Sequence, residues 1–75
     1  MSGKLPVISG AKCIKALEKI GYIAHRQRGS HVVLIRRDPP SQTTIPLHNE
    51  LDRGTLRAII RQVGLSVEEF TSLLD

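Results

Sequence analysis

Apolar residues recur at helical spacing in the first quarter of the chain, where they predict an amphipathic helix. Ser9 precedes this pattern and is a suitable N-cap, and Gly21 follows Ile20 and suits the first position after a helix. The predicted buried stripe consists of Cys13, Ile14, Leu17 and Ile20. Three lysines, Lys12, Lys15 and Lys19, occupy another face.

Two further helical patterns lie in the last third of the chain. The second helix is predicted to begin at Asp52 or Gly54 and to end at Gly64. Its core face is Leu56, Ile59, Ile60 and Val63, and its arginine row is Arg53, Arg57 and Arg61. Ser66 and Glu69 form a capping box for a third helix. This helix is expected to bury Val67, Phe70 and either Leu73 or Leu74.

The segment between the first two helices predicts a β-hairpin. Residues Tyr22–Arg28 and His31–Arg37 are expected to be strands, separated by Gly29 and Ser30. Two residues with glycine first suit a type II′ turn, because glycine takes the positive φ of the first central position. This turn would place Arg28 opposite His31.

A third strand, Thr43–Leu47, is predicted after the segment Asp38-Pro39-Pro40-Ser41, which ends the second strand because proline donates no ladder hydrogen bond. Pro46 indicates that this third strand lies at a sheet edge. The element order is therefore α-β-β-β-α-α. We expect an α+β fold in which a three-stranded antiparallel sheet packs its helices on one face and leaves the other open.

Composition limits the size and type of the protein. The 75 residues, 40% hydrophobic and 24% charged, predict one globular domain spanning residues 1–75. One Phe, one Tyr and no Trp require a largely aliphatic core. Cys13 is the single cysteine, so the fold has no internal disulfide. No stretch approaches the roughly 20 apolar residues of a membrane span, and we expect a soluble, cytoplasmic protein.

Positive charge is concentrated in the body of the chain. Residues 1–63 carry 11 basic and 4 acidic side chains, a net +7, whereas residues 64–75 carry −3. A basic body favours a polyanionic partner, with nucleic acid the first candidate. A basic surface that only confers solubility is equally compatible with these charges.

His31 is the first candidate for chemistry. The register extrapolated from the turn pairs Arg26 with Val33 and Ala24 with Ile35, on the face that carries Arg28 and His31. The opposite face would hold Ile23, His25, Gln27, Val32, Leu34 and Arg36. Because both faces contain apolar residues, the pattern does not decide which one is covered. An exposed imidazole beside Arg26 or Arg28 could transfer a proton during RNA cleavage, or could only complete the turn or bind a phosphate.

Other polar residues support narrower hypotheses. His25 and His48 lack the spacing typical of metal sites, and no metal is expected. His48 could be a second proton-transfer group if the third strand lies beside the hairpin, or a solvated loop residue. Arg53 and Thr55 lie at a predicted helix N-terminus, which favours phosphate. A catalytic role for the Cys13 thiol is not expected.

Three short motifs, in this order and spacing, resemble the HicA family of bacterial toxins. They are Lys4-Leu5-Pro6 before the first helix, Arg28-Gly29-Ser30-His31 before an apolar strand, and Pro46-Leu47-His48 followed by Gly54-Thr55-Leu56. The resemblance implies a fold like double-stranded RNA-binding domains and a ribosome-independent mRNA endonuclease without a cofactor. It implies that His31 of Gly29-Ser30-His31 is catalytic, and that a HicB-type antitoxin covers the active face.

On this hypothesis the RNA contacts are Arg26, Arg28, Ser30, Arg36, Arg53 and Thr55. Two alternatives remain open at the level of the sequence. One is a non-catalytic module whose hairpin tip binds the minor groove of double-stranded RNA. The other is a structural adaptor that binds only a protein partner.

Overall fold

The computed structural model describes residues 4–74 and has the predicted order of elements. The elements are α1 (Gly10–Glu18), β1 (Ile23–Arg28), β2 (His31–Arg37), β3 (Pro40–Pro46), α2 (Arg53–Gln62) and α3 (Val67–Thr71). The strands form one antiparallel sheet in the order β1-β2-β3. The predicted α+β architecture is therefore confirmed.

The ends of α1 follow from local sequence. The Ser9 hydroxyl accepts the Lys12 N–H at 3.1 Å and caps the helix. Regular α-helix ends at Glu18, two residues earlier than predicted, and a turn continues to Gly21. Gly21 has φ +100°, and the Tyr22 N–H donates back to the Leu17 carbonyl at 3.3 Å. This is the glycine stop that the sequence predicted.

The caps of α2 and α3 are also those predicted. Asp52 is the N-cap of α2 and accepts the Thr55 N–H at 2.7 Å. Gly64 follows this helix with φ +78°. Ser66 and Glu69 form both hydrogen bonds of the capping box at the start of α3.

The turn between β2 and β3 is tighter than the sequence suggested. Arg37 pairs with Pro40 across a two-residue turn, Asp38-Pro39, whose peptide bond is cis. Strand β3 therefore begins at Pro40, and the prediction that it begins at Thr43 was wrong. Pro40 can open this strand because β3 is an edge strand, where a proline nitrogen that faces away from β2 removes no ladder bond.

A β-bulge changes the predicted register of the first hairpin. The pairs Arg28–His31 and Arg26–Val33 are as expected, but Ala24 pairs with Leu34 instead of Ile35. The bulge inserts His25 between Ala24 and Arg26 as an extra residue on β1, and it thereby brings Ile23 opposite Ile35. The predicted pairing assumed that residues alternate strictly between the two faces from the turn onwards, and this assumption leaves no place for an extra residue.

The helices cover one face of the sheet. On that side Val32, Leu34 and Ile45 are buried, and Thr43 is buried with its hydroxyl donating to Gln62 Oε1 at 2.7 Å. The predicted core residues of α1 and α2 are buried or partly buried, and Phe70 of α3 is fully buried. The sequence analysis did not identify five further core residues, Leu5, Ile8, Ala16, Tyr22 and Leu51.

The other side of the sheet is called the open face. It includes Ile23, Arg26 and Arg28 on β1, His31, Val33 and Ile35 on β2, and Gln42 and Thr44 on β3. All six residues of β1 are exposed. Within residues 4–74, no helix is both long enough and apolar enough to cross a membrane.

Candidate functional site at the tip of the first hairpin

His31 is the first residue of the central strand and lies on the open face. Its side chain is exposed, whereas its backbone lies between two neighbouring strands, opposite Arg28 on β1 and Pro46 on β3. The structure thus decides the question that the sequence left open, because His31 is on the uncovered side of the sheet. An exposed ring on a fixed backbone can meet a ligand without rearrangement of the strand.

The hydrogen-bond pattern explains how a proline can lie opposite His31. The Leu47 N–H donates to the Ser30 carbonyl at 2.6 Å, which makes His31 and Pro46 a non-hydrogen-bonded pair. In such a pair the residue on β3 directs its nitrogen away from β2, so the missing N–H of Pro46 costs nothing. The Cα atoms of such a pair lie about 4.5 Å apart. The end of β3 is therefore held directly against the hairpin tip.

Two guanidinium groups share the open face with His31. Arg28 is its cross-strand partner, and Arg26 lies two residues away on the same side of β1. Both arginines are exposed, as is Ser30 in the turn. Gly29 has φ +58°, and Gln27 Nε2 donates to its carbonyl at 2.9 Å. The hairpin tip therefore presents an imidazole, a hydroxyl and two cations to solvent.

The segment that leaves β3 completes this end of the molecule. The Gly10 N–H donates to the His48 carbonyl at 2.9 Å, so the start of α1 lies directly on this segment. A Cβ atom at Gly10 would lie 2.0 Å from the Pro46 carbonyl oxygen. The His48 side chain is exposed. Because β3 pairs with β2 as far as His31 and Pro46, the third strand lies beside the hairpin. This is the condition under which His48 could be a second proton-transfer group.

Arg53 and Thr55 lie at the start of α2. The backbone and the side chain of Thr55 both hydrogen-bond to the Asp52 carboxylate and lower the pKa of Asp52, and the charge of His48 lowers it further. The carboxylate therefore occupies the end of the helix that the sequence analysis assigned to phosphate. A phosphate at this position would be repelled by the Asp52 carboxylate, and the Thr55 N–H already donates its hydrogen bond to that carboxylate.

Arg36 is not brought to His31. It lies five residues along β2, on the order of 16 Å away at about 3.3 Å per residue. Its guanidinium stacks over the buried Tyr22 ring with its carbon 4.7 Å from the ring centroid, and its Nε donates to the Pro39 carbonyl at 3.0 Å. These contacts hold the side chain at the opposite end of the sheet.

The remaining candidates are separate from the hairpin tip. Cys13 is fully buried, and burial raises the pKa of its thiol to about 12, in agreement with the expectation that it has no catalytic role. His25 is exposed in the bulge of β1. Across residues 4–74, no three His, Cys, Asp or Glu side chains come together as a metal site would require.

Sequence reasoning missed two features of this end of the molecule. Gln42 and Thr44 lie on the open face, and the alternation of polar and apolar residues in Gln42-Thr43-Thr44-Ile45 is the signal that could have placed them there. Gly10 was not identified as a contact residue. A glycine directly after an N-cap serine is a poor helix former, and this could have indicated close backbone packing.

A protein-family model matches most of the chain. Residues 10–65 match the family model described as "HicA toxin of bacterial toxin-antitoxin", so the match covers more than half of the chain and contains the hairpin tip and the end of β3. No curated protein matches the chain.

Proposed function

The chain belongs to the HicA family of bacterial toxins, and from this membership and the geometry of the hairpin tip we propose that it cleaves mRNA independently of the ribosome. His31 is the proposed catalytic residue and acts as a general acid or base. A HicB-type antitoxin is the proposed protein partner, and mRNA is the proposed substrate. The proposed reaction uses no metal ion and no small-molecule cofactor.

One observation carries this proposal. The imidazole of His31 is exposed on the open face, beside Arg28 and on a backbone that is held by strands on both sides. Imidazole exchanges protons near neutral pH, and a guanidinium group stabilises negative charge on phosphate. An exposed and fixed arrangement of these two groups suits a flexible single-stranded RNA.

The chemistry follows from these groups. In the proposed reaction the ribose 2′-oxygen attacks the adjacent phosphorus, and the bond from phosphorus to the 5′-oxygen breaks. One proton must leave the 2′-hydroxyl and another must reach the 5′-oxygen. His31 performs one of these transfers, and Arg28 stabilises the charge that develops on the phosphate oxygens.

The proposed RNA contacts differ in their distance from this reaction. Arg26, Arg28 and Ser30 surround His31 and would bind the phosphates next to the cleaved bond. The proposed contact at Arg53 would lie further along the RNA, at the start of α2, and the one at Thr55 would have to form beside the Asp52 carboxylate, which already accepts the Thr55 N–H. A contact at Arg36 would require RNA at the far end of the sheet.

The open face also suits the proposed antitoxin. Ile23 is 53% exposed and pairs with the partly buried Ile35, so an apolar patch lies between the arginines and the β2–β3 turn. A partner that covered this patch and extended along β2 to the hairpin tip would also block access to His31. This supports neutralisation by occlusion of the site.

The test is an RNA-cleavage assay in excess EDTA with the wild-type protein and two histidine variants. We expect the wild type to cut RNA and His31→Ala to lose cutting by about 100-fold or more, the usual scale for a proton-transfer residue. His25→Ala is the matched control, because His25 is also exposed but lies in the bulge of β1. Thermal unfolding would establish that the variants fold. Cleavage by His31→Ala at the wild-type rate would refute the assignment.

A non-catalytic double-stranded RNA-binding module is the second candidate, and the exposed Gly29-Ser30-His31 tip is the observation that favours it. Such a tip could enter a minor groove. A gel-shift titration distinguishes this candidate from the nuclease. Tight, salt-sensitive binding of duplex RNA without any cleavage product would support the binding module.

A further inference from the structure

A site with a single histidine supplies one of the two proton transfers that RNA cleavage requires. We propose that His48 is the second proton-transfer residue and donates the proton to the departing 5′-oxygen, while His31 accepts the proton of the 2′-hydroxyl. This inference rests on the proposed ribonuclease function and assigns the roles within its site.

The sheet register brings the two histidines to one end of the molecule. Pro46 pairs with His31, and the Leu47 N–H continues the contact by donating to the Ser30 carbonyl. Two residues of extended chain add at most about 7 Å to a pair distance of about 4.5 Å, so the two histidine Cα atoms lie within about 12 Å. Both rings are exposed. Side chains of this length can reach opposite sides of one phosphodiester linkage.

The backbone of His48 is fixed although its side chain is exposed. Its carbonyl accepts the Gly10 N–H at 2.9 Å, and the preceding residue is held by Ser30. After it, the Leu51 N–H donates to the Ile8 carbonyl at 2.9 Å. Hydrogen bonds before, at and after His48 thus anchor this segment on two other parts of the fold. The exposed His48 ring is therefore carried by a fixed backbone, as the ring of His31 is.

The charges at this end of the molecule favour different roles for the two rings. His48 is close enough to Asp52 for their charges to interact, and Glu50 lies two residues away in the same loop. We place the proposed acid, which must carry a proton before it donates one, at the ring with these acidic neighbours. His31 instead faces the basic side chain of Arg28 across the hairpin, and we place the proposed base there. This contrast is the basis for naming His48 as the acid.

The proposed step balances in atoms and protons. His31 removes the proton from the 2′-hydroxyl as the 2′-oxygen bonds to phosphorus. The bond from phosphorus to the 5′-oxygen breaks, and His48 protonates that oxygen. The products are a 2′,3′-cyclic phosphate and a 5′-hydroxyl, and solvent restores the proton on His48 and removes it from His31.

The first experiment measures kcat/KM for RNA cleavage in EDTA across a range of pH. The wild type is expected to give a bell-shaped profile, as one required acid and one required base produce. His48→Gln should lower the rate by about 100-fold and remove the fall on the alkaline side, because that limb reports the loss of a proton from the acid. His25→Gln, the matched exposed control, should retain both limbs.

The second experiment uses a substrate whose 5′-bridging oxygen is replaced by sulfur. A thiolate leaves without a proton, so the deficit of His48→Gln should largely disappear while that of His31→Gln should persist. The inference would be overturned if His48→Gln cuts ordinary RNA within about threefold of wild type, or if its deficit is unchanged on the sulfur substrate.

These outcomes are separable from failure of the proposed function. If the wild type does not cut RNA at all, the ribonuclease proposal itself fails. If His31→Gln cuts ordinary RNA as fast as wild type, the assignment of His31 fails and the two-histidine mechanism fails with it. If His31 is required and His48 is not, only the second assignment fails. Thermal unfolding of each variant shows that a lost activity does not come from a lost fold.

Discussion

Replacing Gly10 with alanine should destabilise the protein more than any other glycine-to-alanine change within a helix. The new Cβ would lie 2.0 Å from the Pro46 carbonyl oxygen and 3.1 Å from the Leu47 Cα, both backbone atoms. Neither can move easily, because β3 is paired with β2 and Leu47 is hydrogen-bonded to Ser30. The backbone must therefore shift by about 1 Å to restore ordinary contact distances.

The cost can be estimated from the contacts that change. Overpacking against a fixed backbone costs up to about 3 kcal/mol, and weakening the hydrogen bond from Gly10 to His48 costs about 1 kcal/mol. The higher helix propensity of alanine returns about 1 kcal/mol, which leaves a loss of up to about 3 kcal/mol in the free energy of unfolding. For a domain of this size that loss lowers Tm by about 12–24 °C.

Urea and thermal denaturation followed by circular dichroism would measure this effect. Gly54→Ala is the matched control, because Gly54 also lies in the first turn of a helix and its nearest contact would be the flexible Asp52 side chain at 4.0 Å. This control should be as stable as wild type or up to about 1 kcal/mol more stable. If the free energy of unfolding of Gly10→Ala lies within about 0.5 kcal/mol of the wild-type value, the packing argument is wrong.

Two further predictions concern groups with shifted pKa values. The pKa of Asp52 is lowered from 3.8 in the folded protein by hydrogen bonds from Thr55, so its carboxylate stabilises the fold at neutral pH, and this stabilisation is lost as pH falls through the lowered value. Asp52→Ala should therefore reduce Tm at pH 7 and show a smaller deficit below about pH 4, whereas a deficit independent of pH would contradict this account. Cys13 is fully buried and its pKa is raised to about 12. A disulfide reagent should therefore not label the native protein at pH 8, but should label it in urea. Rapid labelling of the native protein would contradict this prediction and show that the helix opens readily.

Most helix ends could be predicted because their signals are local. Ser9, Asp52 and Ser66 cap helices through side-chain bonds to residues three positions later, and Gly21 and Gly64 stop helices through positive φ. Each of these features depends on a few neighbouring residues. The position of β3 was harder to predict, because whether Pro40 can begin a strand depends on which neighbour its nitrogen faces.

The candidate site could be predicted in part. The two-residue turn fixed the pairing of Arg28 with His31, since turn geometry sets the register next to it. Further along β1 the bulge at His25 changed the pairing, and no sequence signal indicated it. Arg36 stays a proposed phosphate contact, but no local signal in the sequence indicated that its guanidinium lies over the Tyr22 ring.

The sequence by itself determined the order of the elements, their caps and the hairpin that carries His31, because these follow from interactions between residues close together in the chain. Only the tertiary structure decided which face of the sheet stays open, since Val33 and Ile35 on one face are as apolar as Val32 and Leu34 on the other. Packing of the helices against Val32, Leu34 and Ile45 leaves His31 exposed. The approach of His48 depends likewise on contacts between segments far apart in the chain, from Gly10 to His48 and from Leu47 to Ser30.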